Sequence, residues 1–276
     1  MIRLLGAARR AQRVTGAFMW LGVTESMAYP LMVLLNYVIG PTTHPVMYLF
    51  VSRLFDDAPK FGNDYYTFVI IGLITTNGLN GGLTAFSRQL DSAIQQGSFE
   101  TFLVQPISWF TLPFALAAWP IIQSLTIALV MGVLGVILGA KIEYAHLPEA
   151  LVVLALGIAA CHAIGTLAAA VRLLSKRADP VVAVYSLLAT VFAGTLFPVS
   201  ILPALLRPIS YALPHTYVMS AMRRVLMPDG DLIAGPSFGW SVAILVATTI
   251  VLYAACLYAY GRSLDFGRRY GVLGGY

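Results

Sequence analysis

The amino-acid sequence predicts an all-α integral membrane protein: an amphipathic interface helix, six transmembrane helices, and short re-entrant helices between the fifth and sixth spans. Its 276 residues are 59% hydrophobic and 11% charged, whereas soluble domains carry about 25% charged residues. The apolar residues fall into blocks long enough to cross a bilayer. One late block is broken into short pieces by four prolines: Pro198, Pro203, Pro208 and Pro214. We expect residues 1–276 to form one transmembrane domain.

Residues 1–20 are predicted to form an amphipathic helix lying in the membrane interface. One side of its helical wheel is apolar and carries Leu4, Ala7, Ala8, Ala11, Val14 and Phe18. The roughly opposite side is basic and carries Arg9, Arg10 and Arg13. This pattern is typical of helices that lie in the interface plane, with a frayed basic tail as the alternative. No cleavable signal peptide is expected, because no apolar core precedes a small-residue cleavage site.

Six apolar stretches are predicted to cross the membrane: 27–55, 65–87, 108–139, 149–173, 181–197 and 237–261. The first is expected to kink near Gly40 to Pro45, where proline interrupts it. Six crossings place both termini on one side. Most of the 17 basic residues then fall on that side, so the positive-inside rule places the termini in the cytoplasm. The expected location is the plasma (inner) membrane of a bacterium, as a multi-pass protein.

Residues 88–106 form a polar island between two apolar blocks, and it carries Arg88, Asp91, Gln95, Gln96 and Glu100. The pattern predicts a helix that breaks at Gly97, followed by a second short turn that ends at Pro106. A short structured element at the cytoplasmic face of a membrane bundle indicates a docking surface. A carboxylate such as that of Glu100 can pair there with an arginine of a partner, although a solvated glutamate is the simpler interpretation.

Residues 198–236 form the second distinctive stretch. Their prolines predict short helical pieces, which we expect to dip back into the outer leaflet as re-entrant helices. Irregular backbone is tolerated at membrane depth where protein buries it. A mobile outer loop is the alternative.

Polar residues inside the spans are the candidates for lining a transport path: Asn36, Thr42, Thr43, His44, Thr75, Thr76, Asn77 and Asn80. The alternative is that they only bond to neighbouring helices. His162 is expected to be a packing residue, and the four scattered histidines predict no metal site. Gly78 and Gly82 have a spacing that permits close helix packing. We expect them, with the strip from Thr75 to Asn80, to face a partner subunit.

Three sequence features together resemble a known family. The first is the amphipathic helix ahead of the first span. The second is GSFETFLVQPIS, from Gly97 to Ser108, which resembles an element that the family carries after its second span. The third, between the last two spans, comprises Gly194 to Pro198, Leu202-Pro203, Pro214-His215-Thr216-Tyr217 and Arg223. Over essentially its whole length, the chain resembles the membrane subunit of an ABC-2 type, or type V, exporter; Phe99 stands where a smaller aliphatic residue is common.

The resemblance implies a transmembrane subunit of an ATP-driven exporter that works with a second membrane subunit, expected to be a second copy, and with two ABC ATPase subunits. Segment 88–106 would be the coupling segment, and the 1–20 helix would brace the same ATPase. The implied coupling residues are Arg88, Asp91, Gln96, Gly97, Glu100, Phe102, Gln105, Pro106, Arg9, Arg10 and Arg13. ATP and Mg are expected on the partner, because this chain lacks the Gly-x-x-x-x-Gly-Lys-Ser/Thr phosphate loop.

Other function classes receive less support from the sequence. An ion-coupled secondary transporter usually needs acids inside the membrane, and this chain has essentially only Glu25 near a membrane edge. A membrane-embedded lipid or glycan enzyme needs clustered carboxylates or a metal, and the acids here are scattered. The net charge of +5 indicates basic residues on one membrane face, not nucleic-acid binding. The low charge of the spans favours an amphipathic, lipid-linked or drug-like cargo, glycans included.

Overall fold

The computed structural model describes residues 2–54, 64–104, 107–175, 180–228 and 236–269. Within these ranges every regular element is helical: α1 (Ile2–Met27), α2 (Pro30–Leu34), α3 (Gly40–Ser52), α4 (Tyr65–Gln95), α5 (Phe99–Val104), α6 (Leu112–Ile137), α7 (Leu147–Ser175), α8 (Pro180–Phe192), α9 (Arg207–Ala212), α10 (Pro214–Leu226) and α11 (Phe238–Arg269). A π-helical segment, Leu35–Ile39, joins α2 to α3, and a 3-10 turn, Val199–Ile201, precedes α9.

Four of the described helices are long and apolar enough to cross a bilayer, namely α4, α6, α7 and α11. A fifth crossing is available if the bent pair formed by α1 and Pro30–Ser52 counts as one span. The predicted six spans are therefore confirmed only in part. The difference lies at the predicted fifth span, where α8 has 13 residues, whereas a spanning helix needs about 20.

A helix is present where the interface helix was predicted, and it is longer than expected. It continues as α1 to Met27, and the chain then bends by 99° before Pro30–Ser52. The second half of α1 packs on α6: a side chain at Gly22 would clash with Trp119. The Trp119 indole N–H and the Gln123 amide both donate to Ser26 Oγ at 3.3 Å. Helix α1 is therefore attached to the bundle through α6, and it lies at a steep angle to the segment Pro30–Ser52.

The predicted hinge at Gly40 to Pro45 is wrong in position. The chain bends at Ala28–Tyr29 and widens into the π-helical segment Leu35–Ile39, where the Gly40 N–H bonds to the Leu35 carbonyl. Proline explains the shift, because Pro30 begins α2 and Pro41 lies at the start of α3, each without an N–H to continue the preceding ladder. Pro45 is accommodated inside α3.

Helices α4 and α7 form the central pair of the bundle, and glycines let them approach closely. A Cβ at Gly82 would lie 2.5 Å from the Ile158 carbonyl, and one at Gly78 would lie 3.0 Å from Leu154. A Cβ at Gly165 of α7 would clash with the Leu83 carbonyl of α4. The predicted close packing is confirmed. The expectation that these glycines face a partner is wrong, since both α4 glycines are buried against α7 of the same chain.

The two ends of the bundle carry different elements. At the end where α4 stops, α5 follows, and both α1 and the last part of α11 lie nearby: Phe18 packs on Phe102, and Ser263 Oγ donates to the Ala170 carbonyl at 2.8 Å. We call this the α5 end. At the other end, where α4 begins, lies α10, whose Arg223 contacts Phe68. The two ends are separated by most of the length of α4, whose 31 residues span about 46 Å.

Candidate functional site

The turn between α4 and α5 is a tight helix stop centred on Gly97. Gly97 has a φ of +68°, a conformation that favours glycine. Its N–H bonds to the Ile94 carbonyl at 3.0 Å, and the Ser98 N–H bonds to the Ala93 carbonyl at 2.9 Å. This pair of bonds is the Schellman motif, which satisfies the last carbonyls of a helix. The predicted break at Gly97 is confirmed, and it gives α5 a fixed direction relative to α4.

Helix α5 is anchored on one side by core packing and on the other by α1. Phe99 is 2% exposed and belongs to a core cluster with residues of α4, α6, α7 and α11. One turn later, Phe102 meets Phe18 of α1 edge to face, with ring centroids 5.5 Å apart. The short α5 therefore connects α1 with the central helices, and a displacement of α5 would be transmitted to both.

An ion pair fastens the same end of the bundle. The Arg172 guanidinium of α7 donates to a carboxylate oxygen of Asp91 on α4, with both side chains partly buried. Asp91, predicted as a coupling residue, is thus engaged within the chain. It joins the ends of the two central helices instead of projecting freely from the surface.

The other predicted coupling residues fall into two groups. Exposed residues surround the α4–α5 turn and the outer side of α1: Arg88, Gln96, Gly97, Arg9, Arg10 and Arg13. Gln96 also donates to Ser92 Oγ at 2.9 Å. The side chain of Glu100 and residues Gln105 and Pro106 lie outside the described part of the chain. The structure thus brings α1 and the 88–102 region together.

Four of the eight candidate path residues are exposed on this chain: Asn36, Thr43, His44 and Asn80. Asn80 lies at the middle of α4, and the other three lie on or just after the π-helical segment. Exposed polar groups at mid-span are costly against lipid, so their exposure favours a water-filled path or a protein partner at these positions.

The other four candidates are partly or fully buried and are bonded within the chain, as is the exposed Thr43, whose hydroxyl donates to the Gly40 carbonyl at 2.7 Å. Thr75 is fully buried and donates to the Ile71 carbonyl of its own helix at 2.7 Å. Thr42 bonds in the same way to the Ile39 carbonyl at 2.6 Å. Asn77 donates to the Leu73 carbonyl at 3.0 Å, and Thr76 pairs with Thr195 at 3.2 Å between hydroxyl oxygens. Of these bonds, only that between Thr76 and Thr195 joins separate segments, whereas the bonds of Thr42 and Thr75 stay within their own helical stretch. Thr75 lines no open surface.

A buried arginine organises the opposite end of the bundle. Arg223 of α10 is 3% exposed. Its guanidinium donates to the carbonyls of Gly194 and Thr195 at 2.6 and 2.7 Å, and to that of Phe68 at 3.4 Å. It also lies over the Phe68 ring, 3.4 Å from the centroid, within range of a cation–π interaction. Arg223 thus fastens α10 to α4 and to the non-helical connector after α8. We call this arrangement the arginine clasp.

Two glycines make the clasp sterically feasible. Gly72 faces it, and a Cβ there would clash with the Thr195 carbonyl and lie 2.8 Å from Arg223 Nη2. Gly194 has a φ of +84°, so the chain can leave the helical path directly after α8. Gly72, the adjacent pair Gly194-Thr195 and Arg223 belong to three separate parts of the sequence, and the fold brings them to one place.

A second buried polar group lies beside the clasp and was missed by the sequence analysis. The Tyr185 hydroxyl lies 2.8 Å from His215 Nδ1, and Cys161 Sγ lies 3.5 Å from the same nitrogen. These bonds join α8, α10 and α7. The available signal was the Pro214-His215-Thr216-Tyr217 segment, in which a histidine directly follows the proline that begins α10.

His162 is a packing residue, as predicted. Its Nδ1 lies 3.0 Å from the Tyr253 hydroxyl, its Nε2 lies 3.2 Å from the Pro113 carbonyl, and its ring stacks on Phe114. It therefore links α7 to α6 and α11.

The comparison with protein families covers most of the chain. The model of the family described as "ABC-2 type transporter" matches residues 18–227. No curated protein matches the chain. The matched region contains the α4–α5 turn and every member of the arginine clasp.

Proposed function

Because the chain belongs to the ABC-2 type transporter family and is therefore a transmembrane, transport component of an ABC transporter, we propose that it exports its cargo with energy from a separate ATPase. The ATPase docks on segment 88–106 and moves it. The family works with ABC ATPase partners. We propose in addition the docking site, the direction of transport and the route of the movement.

One observation carries the proposal: α5 is held between α1 and the two central helices. Phe102 contacts Phe18 on one side, Phe99 is buried in the core on the other, and the rigid turn at Gly97 continues into α4. Asp91 then ties α4 to α7. A push on α5 therefore reaches α4 and α7 together, and neither can lag behind without breaking an ion pair or opening a packed core.

The docking surface we propose combines the exposed residues of α1 with the 88–106 segment. Arg9, Arg10, Arg13 and Arg88 supply positive charge. Glu100 supplies a carboxylate able to take a bidentate arginine of the ATPase, while Gln96, Gly97, Gln105 and Pro106 shape the surface. Asp91 and Phe102 support this surface from within the bundle, because Asp91 holds α4 to α7 and Phe102 holds α5 to α1.

We further propose six crossings, with the α5 end in the cytoplasm of a bacterial cell and the protein in the inner membrane. Helix α7 ends at the α5 end. Tyr185 of α8 and Cys161 of α7 both contact His215 further along the bundle, and by Thr195 the chain has reached the level of Gly72. The sixth crossing, at the position of the predicted fifth span, thus combines the 13 residues of α8 with the non-helical connector. Its carbonyls need partners inside a membrane, and Arg223 bonds two of them. Helices α9 and α10 would be the re-entrant elements.

We propose that the cargo path lies between two membrane subunits, with a second copy of this chain as the partner. The exposed mid-span polar residues Asn36, Thr43, His44 and Asn80 support it, since a lone chain would leave them facing lipid. The less exposed candidates would lie behind them: Thr42, Thr75, Thr76 and Asn77. A two-fold pair is the commonest way to complete such a path. An amphipathic, lipid-linked or drug-like molecule, glycans included, suits walls of this low charge.

Native mass spectrometry of the chain co-expressed with its ABC ATPase tests the assembly. We expect two membrane subunits and two ATPase subunits in the particle that hydrolyses ATP. A fully active particle with one membrane subunit would contradict the shared path. An ion-coupled transporter would instead move its cargo in ATP-depleted vesicles under an ion gradient alone.

A further inference from the structure

An apolar groove runs between α1 and the coupling segment. It is lined by Val14, Ala17, Phe18, Leu21, Phe102 and Ile107 and has a volume of about 250 Å³. Leu21 is 50% exposed, and none of these described lining residues is charged. We call it the α1–α5 groove. A space of this shape and chemistry suits one hydrocarbon chain better than a polar ligand.

We propose that the α1–α5 groove binds one acyl chain of an anionic glycerophospholipid from the membrane leaflet at the α5 end, and that Arg10 holds its phosphate. Positions 10, 14, 17 and 21 are spaced four, three and four residues apart, which places them along one face of a helix. Arg10 is exposed and therefore stands at the end of the same stripe that lines the groove. Arg13 lies beside it, one turn before Ala17.

The two ends of this stripe match the two parts of an anionic phospholipid. The guanidinium of Arg10 can bind a phosphate with two parallel N–H···O bonds, which an ammonium group cannot do in the same way. The acyl chain would then run past Val14 and Ala17 towards Leu21. Basic pockets between helices at the cytoplasmic side of membrane proteins bind anionic headgroups by this combination of charge and apolar surface.

The direction of α1 favours a bilayer lipid as the occupant. Helix α1 is bent by 99° from the segment Pro30–Ser52. If that segment crosses the membrane, α1 runs nearly in the membrane plane, at the depth where headgroups meet acyl chains. The groove then opens directly to the leaflet, and lipid enters it without leaving the bilayer.

The site also has a consequence for the coupling segment. Phe102 belongs both to the groove wall and to the contact with Phe18 that seats α5 on α1. A bound chain would fill the space beside this contact and fix the position of α5. Lipid binding itself does not depend on ATPase docking, so the two proposals can fail separately.

The test measures the lipid retained by the membrane subunit alone. The purified protein is reconstituted in vesicles of phosphatidylcholine with phosphatidylglycerol, extracted gently, and its bound lipids are quantified by native mass spectrometry. We expect wild type to retain phosphatidylglycerol in preference to phosphatidylcholine. Arg10→Gln should lower that preference about fivefold, the usual factor for one basic residue near an anionic surface. Arg9→Gln removes the same charge about 100° further round the helix and should preserve the preference.

A second pair of variants tests the groove itself. Ala17→Trp fills it and should reduce the retained lipid of both kinds. Gln12→Trp introduces the same ring at an exposed position of α1, about 140° round the helix from position 17, and should leave the retained lipid unchanged. Thermal unfolding of each variant verifies that the fold is intact. Equal retention of the two lipids by wild type, or equal effects of Arg10→Gln and Arg9→Gln, would overturn the phosphate site. Unchanged retention in Ala17→Trp would overturn the groove as its acyl-chain site.

Discussion

Replacing Arg223 with methionine should destabilise the protein more than any comparable change of an exposed arginine. Methionine keeps much of the side-chain length and removes all donors. The carbonyls of Gly194 and Thr195, bonded at 2.6 and 2.7 Å, would then be buried without a partner. Each such group costs about 1–3 kcal/mol, and the lost cation–π contact with Phe68 adds about 0.5–2 kcal/mol. Allowing for partial relaxation, we expect a loss of about 3–5 kcal/mol in the free energy of unfolding.

Arg207→Met is the matched control. Arg207 also bonds two backbone carbonyls, those of Leu202 and Ser200, at 3.0 and 2.9 Å. Ser200 is exposed, so its carbonyl can be hydrated after the change, and the expected loss is about 0.5–1.5 kcal/mol. Arg223→Lys should fall between the two methionine variants, because one ammonium cannot reproduce the planar fork of a guanidinium.

The assay is equilibrium unfolding of the purified variants in mixed micelles, followed by tryptophan fluorescence. The order of stability should be wild type, Arg207→Met, Arg223→Lys and then Arg223→Met. If Arg223→Met and Arg207→Met lose equal stability, the clasp does not fasten the connector, and the proposed sixth crossing loses its main support.

Two further predictions follow from single positions at the same end of the bundle. Gly72→Ala should lower the free energy of unfolding by several kcal/mol, because its methyl group would displace the Thr195 carbonyl and the Arg223 guanidinium. Gly239→Ala has open space around its Cβ and should change the free energy of unfolding by less than about 0.5 kcal/mol. Equal effects of the two variants would contradict the close packing at Gly72. A cysteine at the exposed Ser200 should react with an impermeant thiol reagent added outside the cell, while one at the fully buried Ser210 should react only after unfolding; labelling of Ser200→Cys from the cytoplasm alone would reverse the topology.

Hydropathy and helix-breaking residues predicted much of the fold, because these signals are local. The long apolar helices, the N-terminal helix, the stop at Gly97 and the short helices between α8 and α11 all follow from residues adjacent in the chain. The stop at Gly97 was predictable because glycine is the residue that most often ends a helix in the left-handed conformation.

The features that sequence reasoning misplaced depend on contacts between distant residues. The apolar run after Val181 continues to Phe197, so its pattern predicts a full span, yet the chain unwinds at Gly194 because Arg223, 29 residues later, bonds the freed carbonyl. Asp91 looked like a free docking residue because Arg172 is 81 residues away. Glycine spacing predicts that Gly82 packs closely but not which helix it meets.

The central claim, that the 88–106 segment receives the movement of the ATPase, is tested most directly by Glu100→Arg. The change reverses one charge in the docking segment, and folding should change by less than about 0.5 kcal/mol, as for surface substitutions in general. The control, Glu143→Arg, makes the same reversal at an exposed residue of the opposite end. Each variant is co-expressed with the ABC ATPase, and the ATP turnover of the purified complex is compared with that of the free ATPase.

We predict that the Glu100→Arg subunit inserts and folds normally but no longer alters ATP turnover, while Glu143→Arg alters it as wild type does. Wild-type turnover in the Glu100→Arg complex, with the ATPase bound as before, would contradict the account.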